Sequence, residues 1–197
     1  MSKKRVTKNL KKSGISKNNN SRIIIILIII FSIILIYTIY ELTSPNSSLD
    51  NQWGSAPDFT LATLDGETFT LSEHLGKIIL IDFTADNCYW CDEGGQMDEL
   101  LTVYDEIGSE TVMISIDPWY GYPYYETESQ LENFRDKYGA EWIFAMDNSE
   151  EDVAGKYGVY GIPKIVIIDK NGNVYYSFSA LTFKESIINK INEASNV

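Results

Sequence analysis

The two cysteines of this 197-residue chain stand three positions apart, at Cys88 and Cys91. A disulfide between them would enclose only Tyr89 and Trp90, so it would add little chain-entropy stabilisation and would be strained and easily broken. Such a bond makes a poor structural staple but suits chemistry in which it opens and closes. The spacing therefore predicts a redox-active dithiol rather than a structural crosslink.

The reactivity of such a pair depends on which sulfur ionises. Only the thiolate attacks a disulfide, and free cysteine has a pKa near about 8.5. We predict a helix over residues 88–107, capped by Asp86 or Asn87. At its first turn, unpaired N–H groups and the positive end of the helix dipole would stabilise a Cys88 thiolate. Cys88 is therefore the predicted nucleophile, and Cys91, one turn further in, the predicted resolving thiol.

The elements around the cysteines predict how the pair is positioned. Residues 78–84 form a nearly continuous apolar run directly before it, as expected of a central strand covered on both faces. The remaining segments alternate strand and helix signals, which predicts an α/β sandwich with parallel and antiparallel strands. The other predicted strands are 59–62, 67–70, 111–116, 164–168 and 174–178, and the other predicted helices are 127–138, 150–157 and 183–193. The first two of these strands flank Asp65–Gly66, which predicts a hairpin turn.

The first 40 residues differ in character from the rest. Residues 1–22 hold eight basic and no acidic residues, and residues 23–40 carry no charge. As a helix, this apolar run would be roughly 27 Å long, close to the thickness of a bilayer core. It is longer than the core of a cleaved signal peptide and lacks a small-residue cleavage site, which predicts an uncleaved signal anchor. Because basic flanks stay cytoplasmic, we expect a cytoplasmic N-terminus, a single membrane pass, a linker at 41–54 and an extracytoplasmic domain at 55–197.

The charge distribution limits the partners of that domain. Eight of the 16 basic residues lie in the tail, whereas all 28 acidic residues come later, so residues 41–197 carry a formal charge of −20. Such a field excludes nucleic acid as a partner. The chain has one histidine, His74, which is too few for a zinc site beside two cysteines, and Asp92 stands where a haem attachment motif needs histidine.

Motifs spread over the domain carry a family resemblance. The motifs are APDFTL at 56–61, DG at 65–66, LS at 71–72, GK at 76–77, IDFTA at 81–85, the cysteine pair, YGVYGIP at 157–163 and IIDKNG at 167–172. In these motifs, over about residues 55–195, the sequence resembles the TlpA-like thioredoxin-fold thiol-disulfide oxidoreductases. The resemblance implies a thioredoxin-like sandwich, in which helices flank a central mixed sheet, after an N-terminal transmembrane helix. It also implies disulfide exchange with protein substrates and no cofactor beyond the Cys88–Cys91 disulfide.

The resemblance also implies roles for residues outside the pair. Asp82 stands where the family places a buried acid beneath the dithiol, where a raised pKa would let it exchange protons with Cys91. Strand alternation alone leaves open whether Asp82 is buried or lies at a strand edge. Ile162 and Pro163 resemble the family's cis-proline loop, which offers backbone to an extended substrate chain.

Residues next to the pair depart from the family pattern. Tyr89 and Trp90 could form a substrate platform or pack against a neighbouring loop. Asp92 and Glu93 follow the pair where a basic residue is common, and their charge opposes thiolate formation, which favours a reductase. A second aromatic cluster, at residues 118–125, could be a peptide-binding lip or a loop folded on itself.

The sequence leaves competing functions open. The alternatives are metal delivery, of copper in particular, and a non-catalytic binding module with a thioredoxin-like fold. Copper delivery normally needs a downstream histidine, which this chain lacks. Peroxidase chemistry needs a threonine three residues before the cysteine, where Ala85 stands. We predict an anchored oxidoreductase that exchanges electrons with a membrane donor or acceptor and acts mainly as a disulfide reductase.

Overall fold

The computed structural model describes residues 19–43, 54–118 and 127–197. Most of the predicted basic tail, most of the linker and nearly all of the aromatic cluster at 118–125 lie outside these residues. The chain divides into two compact units, residues 1–48 and 49–197.

In the described part of the first unit, residues Asn19–Thr43 form a helix, α1. Its side chains are described for residues 23–36, and all of these are exposed. Within the described part of the chain, no helix combines the length and the apolar character that a membrane crossing requires.

The second unit opens with a small hairpin. Strands β1 (Thr60–Ala62) and β2 (Thr68–Thr70) pair antiparallel around the predicted Asp65–Gly66 turn. Gly66 has a φ of 80°, a left-handed conformation that favours glycine. A single 3-10 turn at Leu71–His74 follows and leads into the main sheet.

The main sheet has five strands in the order β5-β4-β3-β6-β7. Strands β3, β4 and β5 are parallel to one another, whereas β6 and β7 run antiparallel to their neighbours. All six residues of the central strand β3 are buried, which explains its continuous apolar sequence. The strands are β3 (Ile78–Phe83), β4 (Thr111–Asp117), β5 (Ile143–Met146), β6 (Lys164–Ile168) and β7 (Val174–Phe178).

Two apolar cores form on the two faces of this sheet. Along β3, Ile79, Ile81 and Phe83 belong to one core, while Ile78 and Leu80 belong to the other. The second core also contains Cys91. The helices of this unit are α2 (Gln96–Ile107), α3 (Glu128–Tyr138), α4 (Val153–Lys156) and α5 (Lys184–Ala194). The predicted mixed sheet flanked by helices is therefore confirmed.

The structure corrects the sequence prediction in three places. The helix predicted over 88–107 begins only at Gln96. The helix predicted over 150–157 is a single turn. Asp152 caps it in a left-handed conformation, and the N–H groups of Val153 and Ala154 at its start donate to the Asp147 carboxylate, so the helix does not extend to earlier residues. Strand β5 was not predicted, since four residues are too few to show a periodicity.

Candidate active site

The two cysteines form a disulfide at the site that the sequence predicts. Their sulfur atoms are 2.10 Å apart and their Cα atoms 5.2 Å apart. The Cys91 side chain is fully buried, whereas Cys88 is only partly buried. Only the sulfur of Cys88 is therefore placed to meet another molecule, which agrees with its predicted role as nucleophile.

The backbone that carries the pair is a series of turns, not the start of a regular helix. One helical bond joins the Asp92 N–H to the Cys88 carbonyl at 3.0 Å, but Met97 donates to Cys91, six residues back. Gly95, with a φ of 102°, occupies the N-cap position of α2. Two consecutive glycines at 94 and 95 let the chain leave the helical path, so the predicted caps Asp86 and Asn87 were wrong.

One backbone donor nevertheless reaches the sulfur of Cys88. The Cys91 N–H donates to Cys88 Sγ at 3.2 Å. This bond would persist when Cys88 is a thiolate and would become charge-assisted. Stabilisation of the thiolate thus comes from one turn of backbone, because α2 begins eight positions later and a helix dipole acts mainly within its first turn.

Asp82 lies in β3, six residues before Cys88, and is 2% exposed. Because side chains alternate along a strand, it shares the sheet face of Leu80, which belongs to the core that contains Cys91. Ser115 donates to Asp82 Oδ2 at 3.1 Å, while Oδ1 has no hydrogen-bond partner among the described residues. Desolvation raises the pKa of Asp82 to about 7, against the lowering effect of the Ser115 bond. Asp82 is therefore buried, not at a strand edge.

A hydrogen-bond chain behind Asp82 was not predicted. The indole N–H of Trp142 donates to Ser115 Oγ at 2.9 Å, which in turn donates to the carboxylate. Ser115 pairs directly with Asp82 in the parallel register of β3 and β4. A polar residue inside the otherwise apolar strand of 111–116 was the only signal in the sequence.

Asp92, which follows the pair, does not act as an isolated charge. Its Oδ1 accepts hydrogen bonds from the Lys137 ammonium and the Tyr138 hydroxyl of α3. Burial alone would raise the pKa of Asp92, but these bonds and the lysine charge outweigh it and lower the pKa. The ion pair compensates the negative charge that the sequence places beside the dithiol, so only Glu93 remains exposed there.

The Ile162–Pro163 segment lies beside the end of the central strand. The peptide bond is cis, as the resemblance implied. Lys164, the next residue, pairs with Phe83, the last residue of β3, so the segment borders the strand end from which the dithiol turn departs. Ile162 and Cys88 both pack against the core that contains Cys91. Substrate binding by Ile162 and Pro163 stays a prediction.

Three aromatic side chains are exposed on the dithiol turn and on the loop before Pro163. Tyr89 and Trp90 are 60% and 56% exposed, and their rings meet edge to face at 5.2 Å. Their exposure is consistent with a substrate platform, which also stays a prediction. Tyr160, on the loop before Pro163, is 95% exposed and was not predicted, because its sequence does not distinguish it from a core aromatic.

The single histidine takes part in the hairpin packing. His74 stacks on Phe69 with ring centroids 4.5 Å apart. Within the described ranges, no three histidine, cysteine or acidic side chains come close enough together to hold a metal ion.

The fold is a mixed sheet flanked by helices, with a buried acid on the central strand and a disulfide between two nearby cysteines just beyond that strand. These features define the class of thioredoxin-like thiol–disulfide exchange proteins. Comparison with known proteins agrees with this class. The chain belongs to the AhpC/TSA family, whose model matches residues 54–177.

The chain is also similar to individual relatives and to a solved structure. The chain is 28% identical over 152 residues to the thiol-disulfide oxidoreductase ResA of Geobacillus thermodenitrificans, covering 77% of this chain and 82% of the relative. It is 30% identical over 133 residues to ResA of Bacillus anthracis, covering 67% and 72%. A thioredoxin-like protein from Aeropyrum pernix has a similar structure, with a TM-score of 0.56, 29% identity and coverage of 69% and 89%. The Cys88–Cys91 disulfide and the ResA relatives, which are named thiol-disulfide oxidoreductases, together support thiol–disulfide exchange as the chemistry of this site.

Proposed function

We propose that this chain is a TlpA-like disulfide reductase that acts on protein substrates outside the cytoplasm from a membrane anchor at residues 23–40. The observation that carries the exchange chemistry is the disulfide itself, with a partly exposed Cys88 and a fully buried Cys91. The proposal adds to this chemistry the direction of electron flow, the class of substrate and the location of the protein.

The reaction follows from this asymmetry. In the reduced protein, the Cys88 thiolate attacks one sulfur of a substrate disulfide, forming a mixed disulfide and releasing one substrate thiolate. Cys91 then loses its proton to Asp82, and its sulfur attacks Cys88 Sγ. The Cys88–Cys91 bond forms, the second substrate thiolate leaves, and two electrons have passed to the substrate. A donor at the membrane must return two electrons before the next cycle.

The weak stabilisation of the thiolate supports the reducing direction. A strong oxidant stabilises its reduced form, chiefly through the nucleophile's thiolate. Here one backbone N–H reaches Cys88, α2 begins too far along the chain to add its dipole, and Glu93 is an exposed acid nearby. An ionised Asp82 would further oppose a thiolate on Cys91. Each of these features favours the disulfide form of this protein and therefore the reduction of its substrates.

The location is supported by the N-terminal sequence. Residues 23–40 form 18 uncharged, mostly isoleucine positions behind eight basic residues, an arrangement that keeps the tail cytoplasmic and the domain outside. An anchor would also confine the domain near a membrane electron donor and raise its effective concentration there.

Insulin reduction by the full-length protein in detergent tests the exchange activity. With dithiothreitol as electron source, we expect the wild-type protein to accelerate reduction and Cys88→Ser to lose that acceleration. Equal rates for the two proteins would refute the enzymatic proposal.

The reduction potential tests the direction. Equilibration with thiol buffers should give a value below about −200 mV, whereas a value near −120 mV would identify an oxidant.

Membrane fractionation of cells that express the chain with and without residues 23–40 tests the anchor. Protease treatment of protoplasts tests the orientation of the domain. A domain protected from the protease would contradict an extracytoplasmic location.

A further inference from the structure

Lys164 is a buried charged residue that the exchange chemistry does not use. It opens β6 and is 4% exposed. It shares its sheet face with Val166 and Ile168, which belong to the core on the side of the sheet opposite Cys91. An apolar residue would fit this position at lower desolvation cost, so the ammonium calls for an explanation.

Two hydrogen bonds of the ammonium go to one short stretch of backbone. Its Nζ donates to the carbonyl oxygens of Tyr157 at 2.8 Å and Gly158 at 2.9 Å. Tyr157 is the C-cap residue of α4, and Gly158 has a φ of 59° in the left-handed region. The lysine therefore satisfies two carbonyls at a helix end, where the chain changes direction.

These bonds close the loop that borders the dithiol. The loop leaves α4 at Gly158 and ends at Pro163, directly before Lys164. The backbone of Lys164 is fixed by its pairing with Phe83, while its side chain reaches back to the start of the loop. Both ends of residues 158–163 are thus tied to the same residue, and Tyr160 projects from the loop into solvent.

We propose that Lys164 is a positioning residue that holds loop 158–163 beside the dithiol, so that Tyr160 and Ile162 contact an extended substrate chain. The inference rests on the proposed reduction of protein disulfides. It adds that recognition of a protein substrate depends on this buried lysine, whereas attack on a small disulfide, which needs only the Cys88 sulfur, does not.

The test compares two substrates. Full-length wild-type protein and Lys164→Met, which retains most of the side-chain length but no donor, are assayed with insulin and with dithiobis(nitrobenzoate), a small aromatic disulfide. We expect the KM for insulin to rise about tenfold, the equivalent of one good hydrogen-bonding interaction, with kcat little changed. Rates with the small disulfide should stay within about twofold of wild type.

Two further variants make the result specific. Lys170→Met removes an ammonium that donates to the Ser195 carbonyl at 3.2 Å, beyond the far end of β6, and should leave both substrates unaffected. Gly158→Ala leaves Lys164 in place but forces a side chain into a left-handed conformation at the acceptor. It should raise the KM for insulin selectively, and it carries the test alone if Lys164→Met does not fold.

The outcomes separate this inference from the proposed function. If wild-type protein reduces the small disulfide but not insulin, the proposed function fails and this inference fails with it. If wild-type protein reduces insulin and either loop variant slows both substrates equally, or neither variant raises the KM for insulin more than twofold, the positioning role alone is refuted.

Discussion

Two buried charged residues on the paired central strands, Asp82 in β3 and Lys164 in β6, are held in different ways. Asp82 accepts one hydrogen bond and has an oxygen without a partner among the described residues, and burial raises its pKa to about 7. Lys164, on the other face of the sheet, donates to two carbonyls. An incompletely satisfied acid can change its charge at neutral pH, whereas a well-bonded ammonium fixes backbone. Under the two proposals above, burial serves proton transfer at Asp82 and loop geometry at Lys164.

The largest expected effect is the contribution of Asp82 to the pH dependence of the free energy of unfolding. Unfolded Asp82 ionises near pH 4, but the folded protein keeps it protonated until about pH 7, so the unfolded state binds fewer protons between these values. The wild-type free energy of unfolding should therefore fall as pH rises, by about 4 kcal/mol in total. Asp82→Asn should lack this decrease. Urea unfolding of the oxidised protein from pH 4 to 8 measures it.

A matched control is Asp105→Asn, which removes an exposed acid of α2. It should follow the wild-type curve. Parallel curves for wild type and Asp82→Asn would mean that the buried carboxyl does not titrate in this range.

The next effect is on turnover. If Asp82 takes the proton of Cys91, Asp82→Asn should slow insulin reduction at pH 7 by about 100-fold, which is typical of losing a general base. The deficit should shrink near pH 9, because a larger fraction of the Cys91 thiol ionises at higher pH without a general base. A loss that is the same at both pH values would indicate a purely structural role.

Lys164 should show a smaller effect, on stability. Lys164→Met leaves the Tyr157 and Gly158 carbonyls without their ammonium donor and should lower the free energy of unfolding by about 1–3 kcal/mol. Urea unfolding at pH 7 measures this loss. Lys170→Met, whose bond is at the surface, should change stability by less than about 0.5 kcal/mol. Equal losses in the two variants would remove the contrast between a buried and an exposed ammonium.

The smallest effect tests the hydrogen-bond chain behind Asp82. The Ser115 bond lowers the pKa of the carboxyl, so Ser115→Ala should raise that pKa further and move the pH dependence of insulin reduction upward by about one unit. Trp142→Phe, which removes the indole donor to Ser115 but keeps the bond from Ser115 to Asp82, should move the pH dependence in the same direction by less. An unchanged profile in Ser115→Ala would show that another group sets the pH dependence.

The sequence predicted those features that depend on local patterns. The continuous apolar run of β3, the hairpin at Asp65–Gly66 and the Cys88–Cys91 pair each follow from a few neighbouring residues, and the structure contains all three. Asp82 was placed by family resemblance, since strand alternation alone did not settle its burial.

Features that depend on strand pairing were not predicted. Lys164 and Ser115 are buried because of their positions in the sheet register, and charge or polarity alone suggests exposure. The predicted start of α2 at Cys88 was wrong because Gly95 takes a left-handed conformation, which separates the dithiol turn from the helix. The four residues of β5 form a strand only by pairing with β4.

The covered position of Cys91 has a practical consequence. In the proposed mechanism, a covalent intermediate with a client forms through the partly exposed Cys88, and the buried Cys91 releases it by attacking the mixed disulfide. A Cys91→Ser variant should therefore stop at that intermediate and remain linked to its natural clients. The inaccessibility of a single sulfur would make this protein a bait for identifying them.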